Sequence, residues 1–239
     1  MIYVTGDTHG FQSRWVDNIM PLLSRGDILI ICGDFGVGFW NGRYWSEETF
    51  YDYIEQQDYQ ILFVDGNHCD FNKLNSYPVE MWNGGKVHKI RRNNLIHLMR
   101  GQVYHIENFT LFSFGGGYSI DKAFRKEGYD WWPQEMPNDN EYNEGLDNLS
   151  KVNNSVDYII THTTSLTNLD KLSKLPYIDK DLSIEERPLN KFLDKILSEV
   201  SYKHHYFGHF HLDVDISLKE TGILNKIRVL DTGKIVKEW

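Results

Sequence analysis

The sequence predicts an α/β fold in which two mixed β-sheets pack face to face and helices cover their outer sides. Three features support this prediction: short apolar runs that end abruptly in polar residues, amphipathic segments between the early runs, and closely spaced strand-like segments in the middle. Strands that alternate with helices are typical of a parallel sheet, whereas consecutive strands favour antiparallel pairing. Two packed sheets accommodate both patterns, and the chain length suits one domain over residues 1–239.

Five short apolar runs are the predicted core strands. An uninterrupted apolar run of this kind fits a strand that is buried on both faces, although a buried helical turn would give the same pattern. Each run leads within three residues into Asp, Asn or His. The runs are residues 2–5, 27–32, 60–64, 156–160 and 203–207.

Helices are predicted between and after these runs. Apolar residues recur every three or four positions in residues 11–23, 45–57 and 189–200, as they do on one face of a helix. The last of these segments begins beside Pro188, at a position typical of a helix start. Residues 133–154 are polar and rich in Asn, Asp and Glu, and we expect a loop and an exposed helix there.

Further strands are predicted in hairpins. Residues 95–98, 102–106 and 110–114 follow one another in hairpin order and lead into a run of three glycines. Near the C-terminus, residues 213–218 and 226–230 are predicted to form a hairpin across residues 220–222.

The formal net charge of -9 argues against a protein that tracks long DNA or RNA, because such proteins use a basic face to neutralise phosphates. The nearest candidate for such a face is residues 86–92 together with Arg100. We interpret it as a solvated hairpin or loop. A small phosphorylated partner remains compatible with an acidic chain, since a metal centre brings its own positive field.

The two cysteines, Cys32 and Cys69, lack the spacing of a zinc knuckle or a disulfide framework, and a reducing cytoplasm is the simplest setting for them. The N-terminus passes directly into the first apolar run, so no signal peptide is predicted. No apolar segment approaches the about 20 residues that cross a bilayer. The sequence therefore predicts a cytoplasmic protein without a membrane partner.

Polar side chains that can bind metals follow all five runs. Ligands of open α/β sheets bind beyond the carboxyl ends of the strands, so we expect these side chains to lie close together. Oxygen and imidazole donors suit divalent cations such as manganese, iron and zinc. Two pairs of these residues are separated by a single residue, and an extended backbone directs such a pair to one side. The predicted site comprises Asp7, His9, Asp34, Asn67, His68, His162, His209 and His211.

A glycine precedes several of these polar residues: Gly6, Gly33, Gly66 and Gly208. Glycine tolerates the strained backbone of a sharp strand exit and lets a metal or a phosphate approach closely. Each short motif alone is common in ordinary turns. All five motifs in this order, each at the end of a strand, indicate a metal site.

The order Gly-Asp-x-His, Gly-Asp, Gly-Asn-His, Thr-His and Gly-His-x-His resembles the calcineurin-like metallophosphoesterase superfamily, and it runs from Asp7 to His211. The resemblance implies a four-layer αββα sandwich with two divalent metal ions at the strand ends. It also implies the ligands: Asp7, His9, Asp34 and His211 for one metal, and Asp34, Asn67, His162 and His209 for the other. Asp34 is then the bridging ligand.

The resemblance further implies a reaction, the hydrolysis of a phosphate monoester or diester by a hydroxide that bridges the metals. Two cations about 3.5–4 Å apart clamp the attacking oxygen and the phosphate, and they lower the pKa of a shared water from about 15.7 towards about 7. The residue that matches His68 binds neither metal in similar enzymes and lies beside the scissile phosphate. There it acts as a general acid, a task suited to a group that titrates near neutrality. Asp34 and His68 are therefore the predicted catalytic residues.

The sequence departs from common versions of this pattern at two places. Residues 33–38 lack the second Asp and the Arg that are typical of the protein Ser/Thr phosphatase branch, which disfavours that activity. Cys69 follows His68, where many members have an acid that supports the histidine, and Asp70 is the candidate substitute.

Loops around the metals are expected to set the specificity. Residues 115–119 form a turn before Lys122 and Arg125, and Arg125 could pair with a phosphate through two hydrogen bonds, unless both cations lie on an ordinary helix surface. The predicted substrate-binding residues are Asn67, His68, Lys122 and Arg125. Two aromatic pairs, at residues 39–40 and 131–132, could stack on a base or pack in the core.

Three functions fit these predictions. The first is a phosphatase or phosphodiesterase that acts on a small or nucleotide-like phosphate. The second is a nuclease of the same superfamily, which the acidic charge disfavours. The third is a metal-binding scaffold protein without catalysis, which the complete ligand set and His68 disfavour. The expected cofactors are two divalent metal ions, manganese first, with iron, zinc or magnesium as alternatives.

Overall fold

The computed structural model describes residues 1–92, 94–175 and 184–239. In these residues the chain forms two mixed β-sheets, one of eight strands and one of six, with helices packed on the outer face of each. The α/β class and the αββα layering that the sequence predicts are confirmed.

The strands and helices have the following bounds. The first sheet contains, in spatial order, β14 (Ile235–Glu238), β13 (Lys226–Val229), β1 (Ile2–Thr5), β2 (Ile28–Ile31), β3 (Gln60–Phe63), β6 (Leu95–Leu98), β5 (Gly85–Arg91) and β4 (Val79–Trp82). The second sheet contains β11 (Val214–Ser217), β12 (Glu220–Gly222), β10 (His204–Phe207), β9 (Tyr158–Thr161), β8 (Phe109–Phe114) and β7 (Gln102–Ile106). The helices are α1 (Gln12–Arg14), α2 (Glu47–Glu55), α3 (Phe71–Leu74), α4 (Asp139–Lys151), α5 (Leu166–Leu172) and α6 (Arg187–Glu199).

The centre of each sheet is parallel. Strands β1, β2, β3 and β6 run in one direction in the first sheet, and β8, β9, β10 and β12 do so in the second. The five predicted runs correspond to β1, β2, β3, β9 and β10, in which every residue except Gln60 and His204 is buried. Because parallel strands end at one edge, the turns that follow them meet along the same rim of each sheet.

Apolar side chains between the two sheets form the central core. Val4, Ile30 and Leu62 of the first sheet pack with Tyr104 and Ile160 of the second, and all five are fully buried. Successive side chains of a strand point to opposite faces, so the residues next to these meet the outer helices. Burial on both faces is the physical reason why these strands are uninterrupted apolar runs.

The outer helices bury the apolar stripes that the sequence predicts. Phe50 of α2 packs against Trp15, which lies in the helical turn Trp15–Ile19 on the outer face of the first sheet, with ring centroids 5.0 Å apart. On the second sheet, Leu149 of α4 and Leu193 of α6 pack against Phe112. The predicted helices over residues 45–57 and 189–200 are therefore α2 and α6, and the exposed helix predicted within residues 133–154 is α4.

The helix predicted over residues 11–23 is shorter than expected. It consists of α1 and a following π-helical turn, Trp15–Ile19. In this turn the Met20 amide donates to the carbonyl oxygen of Trp15, five residues back, at 2.8 Å. The wider turn buries Trp15 and Ile19 completely on the sheet.

Two predictions of strand pairing are wrong. Residues 213–218 and 226–230 do not form a hairpin, because β11 pairs with β12 in the second sheet while β13 pairs with β1 and β14 in the first. Strand β6 pairs with β3 and β5, so only β7 and β8 form the hairpin expected in the middle of the chain. A local pattern identifies a strand, but tertiary packing selects its partner.

The basic segment at residues 86–92 is the second strand of a hairpin with β4. Its cations pair with carboxylates: Lys86 with Glu144 at 2.7 Å, Lys89 with Glu80 at 2.8 Å, and Arg91 with Asp52 at 2.7 Å. Cations paired in this way do not offer a free basic face to a polyanion.

Cys32 and Cys69 are both buried and free. Among the described residues, no helix combines the length and the apolar character that a membrane span requires.

A buried ion pair lies directly behind the exit of β3. The Arg100 guanidinium donates to Asp65 at 2.9 and 2.5 Å, and His97 lies 3.1 Å from the other carboxylate oxygen. Burial raises the pKa of Asp65, but Arg100 and His97 outweigh burial and hold the pKa well below its usual range. The pair anchors the turn that leads into Asn67.

Replacing Arg100 by Leu is expected to lower the free energy of unfolding by about 3–5 kcal/mol, because it leaves the buried charge of Asp65 without a partner. Urea unfolding at pH 7 measures this loss. Arg91→Leu is the matched control: Arg91 pairs with exposed carboxylates, and its loss should cost less than about 1 kcal/mol. Equal effects of the two substitutions would contradict the argument.

Candidate metal centre

The turns after five parallel strands carry the predicted ligands to one place, and the turn after a sixth, β8, lies beside them. Four of the ligands, at positions 9, 34, 209 and 211, have positive φ angles of 50°, 47°, 67° and 51°. Residues other than glycine rarely adopt this conformation, and such strain is concentrated at functional sites. Strand β1 leads to Asp7 and His9, β2 to Asp34, β3 to Asn67 and His68, β8 to residues 115–117, β9 to His162, and β10 to His209 and His211.

Four donor atoms converge in what we call the inner cluster, formed by Asp34, Asn67, His162 and His209. Asn67 Oδ1 lies 3.1 Å from His162 Nε2 and 3.0 Å from His209 Nδ1, and these two nitrogens are 3.2 Å apart. Asp34 Oδ2 lies 3.4 Å from His162 Nε2. Donors bound to one cation at about 2.0–2.2 Å lie about 3 Å apart when the bonds meet at right angles. The separations in the inner cluster therefore suit one cation.

The outer cluster comprises Asp7, His9, Asp34 and His211. His9 Nε2 is 2.9 Å from His211 Nε2, and Asp7 Oδ2 is 3.8 Å from the same nitrogen. Asp34 Oδ2 is 3.7 Å from His9 Nδ1. Asp7 is fully buried, whereas 57% of the His211 side chain is exposed, so this cluster opens to solvent. Asp34 belongs to both clusters and lies between the two candidate cation positions.

The orientation of His162 tests whether a cation fits the inner cluster. His162 Nδ1 lies 2.9 Å from the carbonyl oxygen of Cys32, so a neutral ring donates its one N–H there. The lone pair of Nε2 then faces the oxygens of Asn67 and Asp34, which are also acceptors. Buried acceptors that converge need a positive charge between them. Two imidazoles, an amide oxygen and a carboxylate together suit a divalent transition metal.

The carboxylates of Asp34 and Asp7 favour positive charge at this place, which either a second proton on His162 or a bound cation can supply. Burial lowers the pKa of His162, but the carboxylates of Asp34 and Asp7 outweigh burial and raise it to about 10. Burial raises the pKa of Asp7 to about 7, a change that His162 opposes and Asp34 reinforces. Burial also lowers the pKa of His9 to about 4, which keeps that ring neutral and able to bind a metal.

The glycines before the ligands make room mainly for the ligands of neighbouring strands. A Cβ on Gly33 would overlap the ring of His162, and one on Gly66 would overlap the carboxylate of Asp34. Gly208 makes the same kind of room for the Asp7 carboxylate, and Gly6 makes room for backbone. We predicted that these glycines let a metal or a phosphate approach closely. In the structure, the groups that approach them closely are side chains and backbone of the protein itself.

His68 lies beside both clusters, with Arg125 against it. The His68 ring is 4.9 Å from that of His9, centroid to centroid, and its backbone amide donates to Asp34 Oδ1 at 2.8 Å. The terminal nitrogens of Arg125 lie 3.5 and 3.4 Å from the two ring nitrogens of His68. Burial lowers the pKa of His68, the Asp34 carboxylate opposes this change, and the Arg125 charge adds to it. Of the two cations predicted to bind the substrate, Lys122 and Arg125, Arg125 therefore lies at the site.

The acid associated with His68 is different from the one expected. Asp70 caps α3, where its carboxylate accepts hydrogen bonds from two backbone amides at 2.9 and 3.1 Å. Asp121 instead holds Arg125 through contacts of 2.7 and 2.8 Å, and so acts on His68 through the guanidinium. The spacing of four residues between Asp121 and Arg125 is the signal in the sequence that could have identified this pair.

Lys122 contacts aromatic rings. Its ammonium lies 4.1 Å from the centroid of the Tyr118 ring and 5.3 Å from that of Trp131. These contacts are cation–π interactions at the edge of the site, and the structure records no contact between Lys122 and the predicted ligands.

The aromatic pairs considered for base stacking mostly pack inside the protein. Trp40 stacks on Phe50 with centroids 4.3 Å apart, and Trp132 is buried in the core of the first sheet. Phe39 alone reaches the site, 5.6 Å from the His68 ring. Core packing is therefore the observed role of Trp40 and Trp132.

The predicted turn at residues 115–119 lies against the inner cluster, where a Cβ on Gly117 would contact His162 and His209. Two residues beside the cluster are absent from the sequence prediction, the buried glutamates Glu135 and Glu186. No motif marks the glutamates, because they follow no strand.

The αββα fold and a rim of Asp, Asn and His side chains that meet at Asp34 are typical of a metal-dependent phosphoesterase. The family model for calcineurin-like phosphoesterases matches residues 1–216, and the chain belongs to this family. The resemblance drawn from the five sequence motifs is confirmed. The family implies a centre of two divalent metals, and the described residues include three groups that can hold a metal ion: Asp7, His9 and His211; His9, Asp34 and His68; and Asp7, Asp34 and His162. No curated protein matches the chain.

Proposed function

We propose that the protein is a phosphatase or phosphodiesterase that hydrolyses phosphate monoesters or diesters of small, nucleotide-like molecules. Two divalent ions, manganese first, are the proposed cofactors, and iron, zinc and magnesium suit the same donors. One observation carries the proposal: Asp34 joins the inner and outer clusters, and His68 with Arg125 lies beside both.

When bound, the cations supply positive charge for the phosphate and lower the pKa of a shared water. The residues of the chain orient the substrate and manage the proton. His68 donates a proton to the leaving oxygen as the ester bond breaks, a contribution of about 10²–10⁴ in rate. Arg125, which Asp121 holds in place, donates hydrogen bonds to phosphate oxygens. The neutral amide of Asn67 limits the negative charge of the inner cluster, which favours an anionic substrate.

The protonation of His68 depends on the substrate. In the free protein, burial and Arg125 lower the pKa of His68 and outweigh Asp34, which raises it. An anionic phosphate beside the imidazole and the guanidinium favours the charged form of the ring and offsets both effects. The proton is therefore held when a phosphate is bound, which is when the leaving group needs it.

A cavity of 610 Å³ beside His9 suits the organic part of the substrate, since small-molecule pockets span about 300–1,000 Å³. Phe11 lines the cavity, and its ring is 6.3 Å from that of His9. The Arg43 guanidinium lies 5.4 Å from the centroid of the Tyr44 ring, and no carboxylate of the described ranges forms an ion pair with it. Aromatic rings and an unpaired guanidinium suit a base and a second anionic group, although Asp17 also lines the cavity and limits the negative charge that it accepts.

The competing functions have weaker support. A nuclease for long chains needs a basic face, but the chain has a net charge of -9 and the cations of β5 are paired. A metal-binding scaffold without catalysis does not require Arg125 to be held against His68 by Asp121.

We propose a cytoplasmic location, since both cysteines are free and buried as a reducing compartment would leave them. The proposed partner is a small phosphorylated molecule, and neither a long nucleic acid nor a membrane is proposed as a partner.

Chromogenic esters test the proposed function directly. The Mn²⁺-loaded protein is expected to release p-nitrophenol from p-nitrophenyl phosphate or bis(p-nitrophenyl) phosphate, and a chelator should abolish the release. The p-nitrophenyl ester of thymidine 5′-monophosphate should show a lower KM than the bis-ester, because its base reaches the cavity beside His9. No turnover of any of the three esters by protein that holds two equivalents of Mn²⁺ would favour the scaffold.

A further inference from the structure

Two buried glutamates, Glu135 and Glu186, lie beside the inner cluster. Glu135 is 1% exposed and Glu186 is 3% exposed, and carboxylates are seldom buried to this degree without a specific role. Among the described residues, Glu186 Oε1 has no hydrogen-bond partner, and it lies 3.5 Å from Nε2 of His209. The glutamates therefore lie where they can act on ligands of the inner cluster.

Glu135 determines which way the Asn67 amide points. Both Glu135 oxygens accept from Ser119: one from its backbone amide at 2.9 Å, the other from its hydroxyl at 2.7 Å. A hydroxyl has one proton, so Ser119 Oγ can only accept from Asn67 Nδ2, 3.4 Å away. The amide nitrogen of Asn67 thus faces Ser119, and its oxygen faces His162 and His209.

Glu186 acts on the tautomer of His209. The Nδ1 atom of His209 faces Asn67 and His162 in the inner cluster, while Nε2 faces Glu186. A neutral imidazole carries one N–H, and a nearby carboxylate keeps it on the nitrogen that faces the carboxylate. The lone pair of Nδ1 is then directed into the cluster, as the Cys32 carbonyl directs that of His162 Nε2.

We propose that Glu135 and Glu186 are positioning residues that orient Asn67 and His209 and thereby strengthen divalent-cation binding at the inner cluster. This inference rests on the two-metal centre of the proposed function. Partners of metal ligands of this kind are worth about 10–100-fold in metal affinity. Neither glutamate is assigned contact with the substrate, so the primary effect is on metal binding.

Mn²⁺ titration tests the proposal without using catalysis. Calorimetry and the electron paramagnetic resonance signal of free Mn²⁺ give the stoichiometry and the dissociation constant of each site in the full chain. We expect Glu186→Ala to weaken one of the two sites about 10–100-fold. Glu186→Gln should weaken the same site by less, because its amide oxygen keeps a polar atom facing His209 Nε2 but carries no charge. Ser119→Ala should also weaken this site, by releasing Asn67.

Glu220→Gln is the matched control. Glu220 is a partly buried glutamate that accepts hydrogen bonds from the hydroxyls of Tyr202 and Ser217, and neither of these residues is a predicted ligand. The substitution should leave both dissociation constants unchanged. Wild-type affinities in the Glu186→Gln and Ser119→Ala proteins, with circular dichroism unchanged, would overturn the proposal. The isosteric Glu186→Gln variant decides the matter if Glu186→Ala fails to fold. A wild-type protein that binds fewer than two equivalents of Mn²⁺ would instead overturn the two-metal centre itself.

Discussion

The substitution Asp34→Asn is expected to abolish nearly all phosphoester hydrolysis, with a loss of at least about a thousandfold. Removing a single hydrogen-bond donor to a transition state costs about 10²–10³ in rate, and Asp34 has contacts in two clusters. Asp34 Oδ2 lies 3.4 Å from His162 Nε2 and 3.7 Å from His9 Nδ1, so both candidate cation positions lose the same negative charge. Turnover of the chromogenic esters and the bound Mn²⁺ measured by mass spectrometry should decline together.

Asn has nearly the same size and shape as Asp, so this substitution mainly removes the negative charge. The backbone amide of His68 donates to Asp34 Oδ1, and the side-chain oxygen of Asn can accept the same hydrogen bond. Asp58→Asn is the matched control, because the Asp58 side chain is 71% exposed and pairs only loosely with Arg25 at 3.7 Å. Full activity of the Asp34→Asn protein would exclude a bridging role for Asp34.

The residues of the candidate metal site could be predicted from sequence because each follows one of five buried parallel strands. The apolar run identifies the strand, the parallel arrangement places all the strand ends together, and the side chain at the exit is then constrained. His162 shows this well: a Thr-His pair is uninformative alone, but after β9 it places Nε2 within 3.1 Å of Asn67 Oδ1. The backbone strain at His9 and Asp34 could not be predicted in the same way, since it depends on turns around them.

Residues that contact the predicted ligands from other segments could not be predicted from the sequence. Glu186 approaches His209 from the end of a short 3₁₀ turn (Ile184–Glu186), and Glu135 reaches Asn67 through Ser119. No periodicity or spacing connects such residues, because their contacts are set by how the chain folds between distant elements. Arg125 was predicted from its charge and its place after the glycine turn, but its position against His68 depends on Asp121.

The wrong C-terminal hairpin has the same physical origin. Strands β11 and β13 each have a strand-like pattern, and their closeness in sequence favoured pairing with each other. The pairing observed for β13 is with β1, where Tyr3 is opposite Val229 across nearly the whole chain length. Ile227 is fully buried in the core of the first sheet, and that burial selects the distant partner.

The substitution His68→Ala distinguishes a general acid from a metal ligand. Donor atoms of His68, His9 and Asp34 lie within 4.8 Å of one another, so proximity alone allows either role. A general acid contributes about 10²–10⁴ in rate, and its loss should leave two equivalents of Mn²⁺ bound. The rate loss should be larger for phenyl phosphate than for p-nitrophenyl phosphate, because p-nitrophenolate leaves readily without a proton.

His105→Ala is the matched control for this experiment, since His105 is an exposed histidine on β7 and should change neither rate nor metal content. Loss of Mn²⁺ from the His68→Ala protein would assign His68 to the metals. An equal rate loss for both esters, with Mn²⁺ retained, would show that His68 stabilises the phosphate instead of protonating the leaving group. Arg125 would then share that task, because its guanidinium already lies along the same ring.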